Sequence, residues 1–329
     1  MERQVICPYC SAPISVTPYE NVITCPYCGT TFVRGGGIVK DHRMGMVNYS
    51  PKEIFEIFKE WALRKPETPD DISIKASIIG YSLTLYPYWV FRMDIEASYS
   101  AHKSGRYGFL REPPQVSRTE HESLTISVPA TREMKGTVLS DYEFGMRGKI
   151  YYNSQVVRKW NAKILNADID VKKAEEKARR KALDFIRRKL ERTGLINIKF
   201  NPSTKVKVAD LTYVHIPVYK IVYRYGGRQY SFLADASDSR IIYAEIPTGK
   251  VFRIISAGAA LASLIFAGLV FLISFKLGAV CFATYSGSLM TLISAFMFFK
   301  ALKGVVVVGK YRKEEEIEEK IAKYVVKYI

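Results

Sequence analysis

The sequence predicts a multidomain chain: a small cysteine-held unit at the N-terminus, an α+β middle region with antiparallel strands, and a C-terminal two-helix transmembrane hairpin. Three observations carry this. Four of the five cysteines fall within the first 28 residues as two matched pairs. The middle of the chain alternates turn-punctuated β-rich runs with two stretches of helical periodicity. Two uncharged apolar tracts of 22 and 23 residues lie at 254–275 and 277–299, and each meets the roughly 20-residue need of a spanning helix. At 329 residues the chain has room for about two domains.

Cys7-Pro8-Tyr9-Cys10 and Cys25-Pro26-Tyr27-Cys28 form a C-x2-C-x14-C-x2-C pattern. Two cysteines separated by two residues in a tight turn aim both sulfurs at one ion, and a second such knuckle completes a tetrahedral thiolate site. The opening residues, Met-Glu-Arg-Gln-Val-Ile-Cys, lack the apolar run of an export signal. A reducing compartment is therefore expected, which favours metal over disulfide. Residues 14–23 alternate around a turn and are expected to form a hairpin linking the knuckles.

These residues resemble the zinc-ribbon family, whose members occur in transcription factors, RNA polymerase subunits, ribosomal proteins and replication-restart helicases. The resemblance is confined to a unit at 1–34. It implies a structural Zn2+ held by Cys7, Cys10, Cys25 and Cys28. Gly29 trails the second knuckle as in the family pattern, whereas Ser11 stands at the matching place in the first. Four thiolates also serve iron. With every position filled by protein, the ion has no open site for water or substrate, so a structural role is expected. Tyr9, Tyr19, Tyr27 and Phe32 are read as packing a very small core.

Gly35-Gly36-Gly37 marks a linker at 35–48. The α+β domain is expected at 49–248. It opens on a helix with Ser50 as cap, Pro51 in the first turn and Glu53 completing a capping box, with Phe55, Phe58, Trp61 and Ala62 on one face. Strands are expected at 72–101 with a break near Pro87, then at 123–128, 136–144 and 149–152, with an exposed loop at 102–122. A helix follows at 170–193, its apolar stripe Val171, Ala174, Ala178, Ala182, Phe185 and Leu190, closed by Gly194. Further strands are expected at 196–200, 206–213, 217–225, 229–234 and 241–246, with Gly226-Gly227 as a hairpin turn. The Pro-aromatic echo of 85–90 in 215–221 suggests a duplicated unit, 72–165 and 170–246.

The apolar tracts, within 251–301, are read as a hairpin turning at Lys276. Arg240, Lys250 and Arg253 precede it and Lys300, Lys303, Lys310, Arg312 and Lys313 follow, so both chain ends are expected on the cytoplasmic face of the cell membrane. The charged tail, 302–329, is expected to be helical. No Asp, Glu, Arg or His lies inside either tract, which argues against an ion path.

Lys plus Arg outnumber Asp plus Glu by 49 to 32, a surplus that attracts polyanions. It concentrates on the second helix: Lys172, Lys173, Lys177, Arg179, Arg180, Lys181, Arg187, Arg188, Lys189 and Arg192 oppose four acids. This face is read as solvated, as a contact for anionic lipid, or as a contact for nucleic acid. No phosphate-binding Gly-x-x-x-x-Gly-Lys-Ser/Thr loop, Gly-x-Ser-x-Gly elbow or His-Glu-x-x-His pair occurs, and His42, His102, His121 and His215 are scattered. The expected function is binding, not catalysis: an adaptor or scaffold for a protein partner at the lipid bilayer. Nucleic-acid binding, or membership of a membrane enzyme or transporter complex, are the alternatives, and no small-molecule substrate is indicated. The layout is similar to that of prokaryotic membrane proteins that join an N-terminal ribbon to a β-rich domain, a likeness that implies no activity.

Overall fold

The computed structural model describes residues 3–105, 113–276, 292 and 305–308. Most of its strands join one largely antiparallel sheet, and contacts divide the chain into two units: Met1–Asn48 with Leu83–Val218, and Tyr49–Ser82 with Tyr219–Lys310.

In the first unit, β1 (Arg3–Ile6) pairs with β2 (Pro13–Val16), and β3 (Val22–Thr24) with β4 (Thr31–Val33). Each knuckle therefore caps its own hairpin, in place of the single hairpin expected between them at 14–23. β5 (His42–Met44) follows, inside the segment read as a linker. The long strand β6 (Ser77–Lys103) enters this unit at Leu83 and pairs with β7 (Gln115–Pro129) from Tyr88 to His102. The loop expected at 102–122 is thus largely strand, with 106–112 outside the described residues. The strand expected at 136–144 is instead a 3-10 turn, Val138–Asp141, preceded by another at Arg132–Met134.

β8 (Ile150–Tyr151) pairs with β5, α3 (Ser154–Lys159) is capped by the Asn153 side chain, and β9 (Lys163–Ile164) runs parallel to β6. α4 (Val171–Arg192) starts on the Asp170 side chain, which accepts from Lys172 N–H at 2.8 Å. Ala174, Ala178, Ala182, Ile186 and Leu190 form its buried stripe. Phe185, expected in that stripe, is 44% exposed, and Ile186, one position on, takes its place. The small alanines let α4 lie close over β7 and over β10 (Leu195–Phe200), burying Trp89, Phe91, Met93 and Ile95 of β6.

β11 (Lys205–Tyr225), like β6, passes from one unit to the other. Both strands run through a proline: Pro87, expected as a break, and Pro217, expected as the start of a strand. Pro87 falls between Leu85, paired to β9, and Tyr88, paired to β7. Pro217 lies just past His215, where pairing with β5 ends. A missing N–H is tolerated where a strand changes partner.

In the second unit, α1 (Pro51–Leu63) carries the expected capping box, Glu53 N–H to Ser50 Oγ at 3.3 Å and Ser50 N–H to Glu53 Oε2 at 2.7 Å. Phe58 stacks on Phe232 with centroids 4.1 Å apart, and Phe55 packs on Tyr223. After α2 (Ile72–Lys75) and the first residues of β6 come β12 (Arg228–Asp235) and β13 (Ile241–Pro247), an antiparallel pair.

The expected two-helix transmembrane hairpin is corrected. Among the described residues one helix, α5 (Lys250–Lys276), is long and apolar enough to cross a membrane, and it continues through Lys276, the residue expected to turn. The second tract, 277–299, lies outside the described residues apart from Leu292. The tail expected to be helical instead supplies β14 (Val305–Val308), which pairs antiparallel with β13, Pro247 opposite Val305. Four consecutive valines favour a strand over a helix. The rest of the tail lies outside the described residues.

Candidate metal centre

The two knuckles are built alike. Cys7 N–H donates to Ala12 O at 3.0 Å and Ser11 N–H to Cys7 O at 3.0 Å; Cys25 N–H donates to Thr30 O at 2.9 Å and Gly29 N–H to Cys25 O at 3.0 Å. Each turn ends on a residue with positive φ, 59° at Ser11 and 82° at Gly29. Ser11 adopts the left-handed conformation that glycine supplies without steric cost.

The four sulfurs lie within 4.8 Å of one another. Cys7 Sγ is 3.7 Å from Cys28 Sγ, and Cys10 Sγ is 3.7 Å from Cys25 Sγ. A tetrahedron with metal–sulfur bonds near 2.3 Å has edges of about 3.8 Å, so the site fits one tetrahedral ion and no disulfide. Burial pushes the Cys25 thiol up to about 12. At Cys28 burial also raises the thiol, but hydrogen bonds from Thr30, Cys10 and Cys25 outweigh it and bring it down to about 6. Cys7, Ile14, Val16, Ile23, Cys25 and Phe32 pack into the small core. Of the four aromatics expected there, only Phe32 is buried; Tyr9, Tyr19 and Tyr27 are 73%, 67% and 56% exposed.

The second hairpin is docked onto the core of its unit. Val22 and Ala167 exchange backbone hydrogen bonds at 3.0 and 3.1 Å, and Thr24 N–H donates to Asn166 Oδ1 at 3.0 Å. Arg158 donates to Pro26 O from Nε at 2.9 Å, and its guanidinium lies 5.7 Å from the Tyr27 ring centre. Val22 itself is part of the core that holds Trp89.

Behind this hairpin runs a buried polar chain. Thr24 Oγ1 is 3.1 Å from Thr31 Oγ1, which is 2.6 Å from His42 Nδ1; His42 Nε2 is 2.7 Å from His215 Nδ1, and His215 Nε2 is 2.9 Å from Leu165 O. A carbonyl only accepts, so His215 Nε2 carries a proton. With both rings neutral, His215 Nδ1 accepts from His42 Nε2–H, His42 Nδ1 accepts from the Thr31 hydroxyl, and Thr31 accepts from Thr24. Every link then runs in one direction. Burial holds His215 down to about 4, and burial with the neighbouring His215 holds His42 well below the usual imidazole range. Tyr152 stacks on His42 at 4.2 Å between centroids. These histidines are 173 residues apart, and nothing local in the sequence pairs them.

The basic residues of α4 divide. Arg179 pairs with Glu175, Lys181 with Asp141, Arg187 with Asp184 and Lys189 with Glu122. Lys172, Lys173, Lys177, Arg180, Arg188 and Arg192 make no ion pair among the described residues, and all but the partly buried Lys177 are exposed. Burial, followed by the charge of Lys181, lowers Lys177.

Compared with family models, with curated proteins and with solved structures, the chain finds no match in any of the three.

Proposed function

We propose that this chain is a membrane-anchored binding protein: α5 is inserted in the membrane, the ribbon and sheet face the cytoplasm, and the ribbon presents a surface to a protein partner. The observation that carries this reading is the state of the ribbon. Its four thiolates close the metal site, its second hairpin is bonded into the core, and its knuckle tyrosines Tyr9 and Tyr27 are exposed. A closed site supports zinc in a structural role, and exposed tyrosines are favoured anchors of protein interfaces. Anchorage is supported by α5, which exposes Ile254, Ile255, Leu261, Ile265, Phe266, Leu269 and Leu272, and the cytoplasmic orientation by Arg240, Lys250 and Arg253.

The test is purification of the full chain from membranes beside a Tyr9→Ala/Tyr27→Ala variant that retains zinc. A defined protein partner held by the first and lost by the second is the expected result. The same partners on both would remove the ribbon surface from the account. The unpaired cations of α4 favour the second reading, nucleic acid, which requires binding that weakens steeply with salt. The open groove lined by Asp94, Glu96, His121 and Lys205 supports an enzyme less well, because Lys205 is paired with Glu96 at 3.4 Å.

A further inference from the structure

α5 leaves its unit at a braced root. Gly249 N–H donates to Glu67 O at 2.8 Å, and a Cβ at Gly249 would stand 3.2 Å from Pro69 Cα. The connection between α1 and α2 is therefore in backbone contact with the start of α5. That corner is held from within: Thr68 Oγ1 donates to Ala62 O at 2.6 Å, Lys75 pairs with Asp71 at 2.6 Å, and the Tyr225 hydroxyl donates to Asp71. Ile72 N–H donates to Pro69 O at 3.1 Å and Ile74 N–H to Asp71 O at 3.2 Å. The chain turns continuously from Pro69, so Ile74 lies within about 10 Å of it at a helical rise.

The side chains this corner offers to solvent are unsuited to water alone. Ile74 is 85% exposed and Leu63 42% exposed, and the first turns of α5 add Val251, Ile254 and Ile255, each more than 60% exposed. Charges of both signs accompany them: Arg64 is exposed, Lys65 lies 5.1 Å over the Trp61 ring and Lys250 opens α5, beside the exposed Glu60 and Asp70. Apolar tips, an indole and charges of both signs suit the zwitterionic boundary between headgroups and acyl chains.

We propose that the α1–α2 corner is a second membrane contact, with Ile74 and Leu63 set into the headgroup layer of a zwitterionic phospholipid surface and Arg64 and Lys65 against its phosphates. This rests on the reading of α5 as membrane-inserted. The contact gives the second unit two attachments instead of one, and it sets the tilt of that unit against the bilayer.

The test places tryptophan at chosen sites of the full chain, reconstituted in phosphatidylcholine vesicles whose acyl chains are brominated near the headgroup, with unbrominated vesicles as the reference. Ile74→Trp and, within α5, Leu261→Trp, about 10 Å along the helix from Ile254, are expected to lose about half of the added fluorescence, as befits side chains about 5–10 Å deep. Quenching at Leu261→Trp without quenching at Ile74→Trp would overturn the second contact alone. No quenching at Leu261→Trp would overturn the membrane reading and this proposal with it.

Discussion

His42 and His215 share a buried 2.7 Å hydrogen bond between Nε2 and Nδ1, and through it the second cysteine hairpin is joined to the central strand β11. The bond is the third of four links in a chain whose inner groups each give one hydrogen and accept one. Such a network is stable when complete, because every buried polar atom is satisfied, and costly when broken at any link. Its position makes the docked ribbon part of the fold of its unit.

Removing one ring should expose that cost. His215→Gln leaves His42 Nε2–H without its acceptor, and the expected loss is about 2 kcal/mol of stability. The pH dependence has a definite sign. His215 and His42 are both depressed in the folded chain, so the unfolded chain binds the extra protons and stability falls as pH drops below about 6.5, His215 contributing about 3 kcal/mol of that fall by pH 4. His215→Gln should make the fall shallower in a denaturation series; an unchanged slope would separate His215 from the effect.

Opposite substitutions in the two knuckles should move stability in opposite directions. Ser11→Gly relieves a left-handed serine and is expected to stabilise by about 1 kcal/mol. Gly29→Ala adds a side chain at φ 82°, 3.3 Å from Ser154 Oγ, and is expected to destabilise by about 1–2 kcal/mol. Thermal unfolding of both variants measures this, and shifts of the same sign would refute the paired-knuckle geometry.

α4 separates packing from charge. Ala178 is fully buried in the stripe that faces the sheet, so Ala178→Leu should cost about 1–3 kcal/mol by overpacking. Arg188→Glu with Arg192→Glu lies on the exposed face and should change stability by less than about 0.5 kcal/mol. If that face meets polyanions, the double variant weakens their salt-sensitive binding; equal binding by both chains would assign the face to solvent.

What could be read from the sequence was local chemistry. The capping box of Ser50 and Glu53, the start of α4 at Asp170 and the paired cysteines each depend on residues a few positions apart. What could not be read depends on partners far along the chain. Pro87 and Pro217 look like strand ends until the change of neighbouring strand is seen. Val305–Val308 sits in a charged tail, and its four valines show their β preference as a strand paired with β13. Phe185 and Ile186 satisfy the helical period almost equally, and the sheet beneath selects the isoleucine. His42 and His215 meet only because β5 runs parallel to β11.

The most direct test of a structural metal ribbon is the metal content of the full chain purified in detergent without added metal, measured together with hydrogen exchange over β1 to β4. One zinc per chain is expected, with Cys25→Ser losing both the zinc and the protection of Val22–Thr24 and Thr31–Val33. A chain without stoichiometric zinc, or a Cys25→Ser variant that keeps its metal and its protection, would contradict the account.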